Sequence, residues 1–429
     1  MTELSDRKVN LRARHWPGLE QPPTGPRARV SARIARGLFR AAVERLAVTV
    51  QVGGETLPPG DGDETWGRGG PVAVVHRPEE LFARLGRDQL IGFGEAYLTG
   101  AWDAEDLAGF LTVLAAELPR LVPARLQRLR GLVVRKPPAD EVSSTANSQQ
   151  NIAHHYDLSN ELFELFLDPT LSYSSGLFDG PLGSQEALEV AQGRKIERLL
   201  DQARVGEGTR LLEIGTGWGE LALRAARRGA SVTTITLSVE QRSLAKRRIA
   251  EAGLADSVTV ELCDYRDAPP PAGGGGYDAV VSVEMIEAVG WQFWRTYFET
   301  LDRLLAPGGT VAIQAITMSH DRMLATRRTY TWINKYIFPG GFLPSVRVID
   351  EITREHTRLR MAPPFSMGPS YARTLQLWDE AFLAASDQVR ALGFDETFLR
   401  MWHFYLEYSR AGFASGYLDV HQLTFTRDT

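Results

Sequence analysis

Leu211-Leu212-Glu213-Ile214-Gly215-Thr216-Gly217-Trp218-Gly219 decides the fold. A short apolar run suited to a buried strand ends in three alternate glycines, and a helical pattern follows from Glu220 to Arg228. A strand that meets a glycine turn before a helix puts that turn at the carboxyl edge of a sheet, where backbone can approach a ligand closely. A dinucleotide fingerprint needs a third glycine three residues after the second. Glu220 stands at that place and Gly219 makes a Glu-x-Gly-x-Gly-x-Gly spacing instead, which disfavours a pyrophosphate site.

Outward from this loop the alternation continues. The patterns predict strands at 210–214, 231–237, 258–263, 277–283 and 310–316, with helices at 220–228, 239–252 and 291–305. Such a chain forms an α/β, doubly wound, Rossmann-like domain with a mainly parallel sheet and helices on both faces. On the N-terminal side, residues 1–28 read as a polar arm. A basic amphipathic helix is expected over 30–48, with Ile34, Leu38, Phe39, Ala42 and Leu46 at helical spacing among Arg33, Arg36, Arg40 and Arg45. Strands at 48–52 and 71–76 and helices at 78–85 and 104–122 complete a smaller α+β module. A second basic stretch, 118–136, interleaves leucines with Arg120, Arg125, Arg128, Arg130, Arg135 and Lys136. Either basic helix suits a membrane surface or a solvated face. The expected division is an N-terminal domain 1–140, a linker 141–152 and the doubly wound domain 153–429.

Composition narrows the partners. The 429 residues carry 48 basic and 53 acidic side chains, a formal net charge of −5, so a whole-molecule grip on nucleic acid is not expected. The one cysteine, Cys263, excludes an internal disulfide framework and reads as a small buried strand residue in a reducing cytoplasm. No run of about eighteen apolar residues and no signal pattern is seen, which predicts a chain that neither is secreted nor spans a bilayer. His154-His155 lacks a second cluster at ligand spacing, so no metal site is expected.

The glycine loop resembles motif I of S-adenosylmethionine methyltransferases, in which an acid such as Glu213 orders the turn and Gly215, Gly217 and Gly219 leave room for the cofactor. By the same resemblance Thr236 and Gln241 stand where a ribose is held, and Asp264 and Tyr265 where an adenine is clasped. Longer strings are similar to the cyclopropane fatty acid synthase family of lipid-modifying methyltransferases, close to its methylene or 10-methyl-branched branch. They are His155-Tyr156-Asp157-Leu158-Ser159-Asn160, Leu171-Ser172-Tyr173-Ser174-Ser175, Cys263-Asp264-Tyr265-Arg266-Asp267, Met285-Ile286-Glu287-Ala288-Val289-Gly290, Trp332-Ile333-Asn334-Lys335-Tyr336-Ile337-Phe338-Pro339 and Tyr371-Ala372-Arg373-Thr374-Leu375. Gly92-Phe93-Gly94-Glu95-Ala96-Tyr97 and Gly100-Ala101-Trp102 resemble the lipid-handling module of longer members. Tyr173 and Ser174 are implied cofactor contacts, and 320–344 an implied cover over an acyl tunnel.

This resemblance implies methylation of the double bond of an unsaturated, oleoyl-like acyl chain in a phospholipid, through a carbocation that loses a proton. A methylene-branched product is favoured; a cyclopropane is the alternative, and a small-molecule methyltransferase or an inactive lipid-binding protein stays open. In the family a bicarbonate takes the proton. The positions that would hold it here are Glu287 and Tyr371, with Ser175 in place of the usual cysteine and Gln314 in place of the usual histidine. Gln314 offers an amide but no positive charge, so that set is incomplete, and Glu287 or nearby Glu284 is left to take the proton directly or through water. The implied setting is the inner face of the cell membrane, with a partner reductase and a homo-oligomer left open.

Overall fold

A computed structural model describes residues 16, 18–53, 64–121, 138, 159–180 and 186–427. The linker 141–152, His155 and most of the second basic stretch lie outside the described residues. Packing divides the chain into two compact units: Met1–Val133 with Trp378–Ser415, and Val134–Leu377 with Gly416–Thr429. Thus helix Glu396–Ala414, which lies within 153–429, packs against the N-terminal helices Leu90–Leu98 and Leu107–Leu121, and Ser386–Ala391 packs against it.

The first unit begins with helix Pro26–Val43, started by a proline whose missing N–H costs nothing in the first turn. Its sheet runs in the order β2-β1-β3-β4, from β1 (Thr49–Val52), β2 (Glu64–Gly67), β3 (Val72–Val75) and β4 (Trp102–Ala104). β2 and β4 were not anticipated: each is short, and β2 sits in a stretch rich in turn residues. Phe39, Ala42 and Val43 turn inward, and Phe39 meets Trp66, Phe82 and Phe93 at ring distances of 6.0–6.4 Å. Val30, Ile34 and Leu38, one helical turn apart, stay 60, 58 and 56% exposed. Helices Pro78–Asp88 and Leu90–Leu98 touch backbone to backbone at Gly92, where a Cβ would lie 2.0 Å from the Arg84 carbonyl oxygen. The stacked Phe93–Trp102 pair, 4.5 Å between centroids, fills the adjoining core.

The second unit is the doubly wound sheet. β5 (Arg210–Ile214), β6 (Ser231–Thr236), β7 (Val258–Leu262), β8 (Tyr277–Val283) and β9 (Leu305–Met318) pair in parallel, and β10 (Leu359–Met361), β11 (Phe365–Ser366) and β12 (Leu418–Arg427) add an antiparallel edge, in the order β10-β12-β9-β8-β5-β6-β7. Alternate strand residues feed two cores. Leu212, Ile214, Val280, Val311 and Ile313 pack with Trp294, Tyr297 and Phe298 on one face, and Leu211, Ala279, Val281 and Ala312 with Leu199, Leu221 and Ala245 on the other. β9 runs beyond the expected 310–316, and β12 was not foreseen. Its alternation is broken by Gln422, which is polar yet only 2% exposed because its side-chain amide bonds Gln314 across the ladder.

Candidate active site

The β5 turn opens a cleft of about 950 Å³, the open solvent in its mouth included, at the carboxyl edge of the parallel strands. Tyr173, Ser174, Glu213, Gly215, Gly217, Thr236, Gln241 and Tyr265 line it, together with Lys195, Trp218, Cys263, Glu284 and Met285. Gly219 and Asp264 do not. Gly219 is the left-handed residue (φ 93°) that starts helix Glu220–Arg227, and Asp264 caps the turn Tyr265–Asp267 by accepting from the Arg266 N–H at 3.0 Å. Cys263 is half-buried at the cavity wall just past β7 and so differs from the buried strand residue expected; the strand ends one residue earlier, at Leu262.

The wall is shaped for close approach. Gly215 has φ 100°, and a Cβ there would lie 2.6 Å from Cγ of Met285. Arg248 holds the loop by donating to the Trp218 carbonyl at 2.7 Å and the Thr170 carbonyl at 3.1 Å. Thr236 donates to Oε1 of Gln241 at 3.0 Å, which fixes that amide at the rim. Glu213 is 4% exposed and its Oε2 has no hydrogen-bond partner, while burial pushes its carboxyl up to about 8 against the Thr234 hydroxyl and the Lys195 charge. An orphaned carboxylate oxygen beside three positive-φ glycines suits a ligand that brings its own donors, as the amine and hydroxyls of S-adenosylmethionine do.

Beyond Met285 lies a second cluster. Glu284 has φ 51°, uncommon for a residue with a Cβ, and its N–H bonds the Gln314 carbonyl at 2.8 Å. Its Oε1 accepts from the Ser175 N–H at 2.9 Å and from Nε2 of Gln314 at 2.8 Å, and its Oε2 from the Tyr371 hydroxyl at 2.7 Å. Ser175, Gln314 and Tyr371 are thus brought together, but around Glu284 and not around Glu287. Glu287 accepts from the Ile316 N–H through Oε1, and its Oε2 is sealed from solvent without a partner. Burial, then the neighbouring Glu284 charge, pushes the Glu287 carboxyl up to about 8.

One charged residue of the site escaped sequence reasoning. Lys195, 1% exposed, donates from Nζ to the Ser174 hydroxyl at 2.7 Å, and burial lowers it to about 8. Its signal was present: Ala191, Lys195 and Leu199 form one buried stripe of helix Leu188–Gln202. Glu284 was read as an acceptor for the proton beside Glu287, but not as the group that Ser175, Gln314 and Tyr371 hold. Of the expected cover, helix Trp332–Tyr336 carries a Thr331–Asn334 capping box, and the Phe342 N–H bonds the Glu287 carbonyl at 2.8 Å.

Comparison with known proteins gives one answer. The family model described as mycolic acid cyclopropane synthetase matches residues 143–423. The tuberculostearic acid methyltransferase UfaA1 of Mycobacterium tuberculosis (strain ATCC 25618 / H37Rv) is 50% identical over 417 residues, 96% of this chain and 95% of that protein. The cyclopropane-fatty-acyl-phospholipid synthase of Escherichia coli (strain K12) is 33% identical over 362 residues, 83% of this chain and 88% of that one. The crystal structure of mycolic acid cyclopropane synthase CmaA1 complexed with SAH and CTAB superposes with a TM-score of 0.59 at 30% identity, covering 65% of this chain and 98% of that one.

Proposed function

The chain belongs to the mycolic acid cyclopropane synthetase family and is an S-adenosylmethionine-dependent methyltransferase, and on that premise we propose that it methylates the double bond of unsaturated, oleoyl-like acyl chains in phospholipids, giving a methylene-branched chain. The observation that carries this reading is the adjacency of the glycine-lined cavity to a carboxyl cluster: Glu284 lines the cavity and is held by Ser175, Gln314 and Tyr371. The 50% identity to a tuberculostearic acid methyltransferase supports the branched product over the cyclopropane.

When bound, S-adenosylmethionine supplies an electrophilic methyl group on a sulfonium. Glu213, Thr236, Gln241 and Tyr265, with the backbone at Gly215 and Gly217, hold and orient it. An alkene is a weak nucleophile, so alignment and exclusion of water matter most. Tyr173, packed edge-on against Phe163 at 5.2 Å, and Met285 present polarisable surface to the cavity. Glu213 and Tyr173 act as binding groups, and the cluster of Glu284 and Glu287 receives the proton.

The substrate sets the location. Drawing a chain of about sixteen carbons out of a bilayer costs on the order of 10 kcal/mol at ~0.8 kcal/mol per methylene unless protein surface replaces the lipid. The N-terminal unit therefore works as a lipid-handling module at the cytoplasmic membrane surface, with helix Pro26–Val43 against anionic head groups. No helix among the described residues is long and apolar enough to cross a membrane. A methylene product keeps an alkene, so a reductase that supplies hydride must act next if a saturated branch is formed.

The test is mass spectrometry of phospholipids after incubation of dioleoyl vesicles with the protein and methyl-labelled S-adenosylmethionine. Acyl chains heavier by one CH₂ that retain an exocyclic alkene are expected. A cyclopropane signal selects the alternative product, and label confined to water-soluble compounds refutes the lipid reading.

A further inference from the structure

We infer that the carboxylate of Glu284 occupies the place of a free bicarbonate, so that the base of this enzyme is part of its own chain. The inference rests on the proposed acyl-lipid reading and adds the identity of the proton acceptor. A planar anion between the Ser175 N–H, Gln314 and Tyr371 is what the family resemblance leads one to expect from solution. Here those three donors are already spent on the two oxygens of Glu284, at 2.9, 2.8 and 2.7 Å. A carboxylate and a bicarbonate present the same pair of acceptor oxygens on one trigonal carbon, so the second anion has neither donors nor charge balance left. Bicarbonate does not fit this site.

Three independent features favour Glu284 over Glu287 as the acceptor. Glu284 lines the cavity beside Gly215 and Met285, and Glu287 does not. Its backbone is held at φ 51°, a costly conformation for a residue with a Cβ, and such strain is retained where surrounding contacts demand it. Burial raises the Glu284 carboxyl, but three donors and the charge of buried Lys195 oppose it, whereas Glu287 accepts from the Ile316 N–H and keeps an oxygen without a partner.

The step balances within the chain and its substrates. An acyl double bond that has gained a methyl group is a cation. After hydride migration, one C–H bond of that new methyl breaks, its electron pair becomes the exocyclic C=C, and the proton goes to Oε of Glu284. Solvent then removes it.

The experiment uses the full chain, dioleoyl phosphatidylglycerol vesicles and methyl-labelled S-adenosylmethionine in carbonate-free buffer, with ¹³C-bicarbonate line broadening as a readout without turnover. The wild type is expected to methylate lipid at a rate that added bicarbonate leaves unchanged, and to leave the ¹³C signal sharp. Glu284→Gln should lower kcat by about 100-fold or more, the scale of a lost general base, with S-adenosylmethionine affinity kept. Glu284→Gly relieves the positive φ and empties the anion place; it should broaden the ¹³C signal and regain activity by about tenfold when bicarbonate is added. A wild type that needs added bicarbonate or broadens its signal overturns the inference, as does a Glu284→Gln enzyme with unaltered kcat. A wild type that binds S-adenosylmethionine yet labels no lipid under any condition overturns the acyl-lipid reading itself, and this one with it.

Discussion

Lys195 and Ser174 are joined by a 2.7 Å bond from Nζ to Oγ, in a position where the lysine is 1% exposed. Its charge faces Glu284, Asp168 and Glu213, each of which opposes the burial that lowers it to about 8. In return it opposes the burial that raises the carboxyls of Glu284 and Glu213. Lys195→Met removes that pull, so Glu284 ionises at higher pH. The acid limb of kcat against pH should move to higher pH, and an unmoved limb would show that the lysine and the base are not coupled.

Burial at Glu287 has a consequence for stability. Its carboxyl is raised from 4.5 to about 8, so between those values the folded chain holds a proton that the unfolded chain has released. Its contribution is fully present below pH 4.5 and is lost as pH rises through 8. Glu287→Gln keeps the shape and cannot ionise. Its melting temperature should nearly match the wild type near pH 5 and exceed it near pH 8, by on the order of 3 kcal/mol of stability. Calorimetric scans at the two pH values check this, and parallel curves would contradict it.

Gly215 carries a separate prediction. An alanine there must adopt φ 100° and bring a Cβ to 2.6 Å from the Met285 side chain. Gly215→Ala should weaken S-adenosylmethionine binding at least about tenfold, from roughly 1–3 kcal/mol of strain and displacement of the wall. Adding Met285→Ala removes the contact but not the positive φ, so titration calorimetry should find partial recovery. Full recovery would place the whole effect in the contact.

How far the sequence could be read followed from whether local pattern and burial agreed. The β5 turn was legible because Gly215 and Gly217 interrupt a buried strand at a place where only glycine is comfortable. β12 was not, because a strand whose inward position is Gln422 looks solvent-facing until its partner Gln314 is known. Ser175 and Tyr371 were found through the strings that contain them and Gln314 as the place of the family's histidine, yet the group they surround was misjudged. Those strings favour Glu287. What turns the donors to Glu284 is a backbone angle, and no spacing in a single chain reveals a φ of 51°. Lys195 was hidden differently, as a charge on the buried stripe of an otherwise ordinary amphipathic helix.

Membrane attachment can be separated from chemistry at helix Pro26–Val43. Val30, Ile34 and Leu38 are each more than half exposed, so together they form a stripe with little to do for the folded core. Arg36 and Arg40 pair with Glu64 and lie over Trp66, which orients the helix, while Arg29 and Arg33 are exposed near the stripe. A stripe of apolar tips beside guanidinium groups suits the boundary between acyl chains and anionic head groups. Replacing all three apolar residues by serine should shift the melting free energy by no more than about 0.5 kcal/mol per site, since little is buried. Co-sedimentation with dioleoyl phosphatidylglycerol vesicles should fall at least about tenfold, because each lost methylene contact is worth ~0.8 kcal/mol when immersed. Salt should weaken the wild type by screening the arginines. Turnover of a soluble short-chain alkenyl phospholipid should stay at the wild-type level, because that substrate needs no extraction from a bilayer. Vesicle binding that survives the triple replacement would assign attachment to another surface.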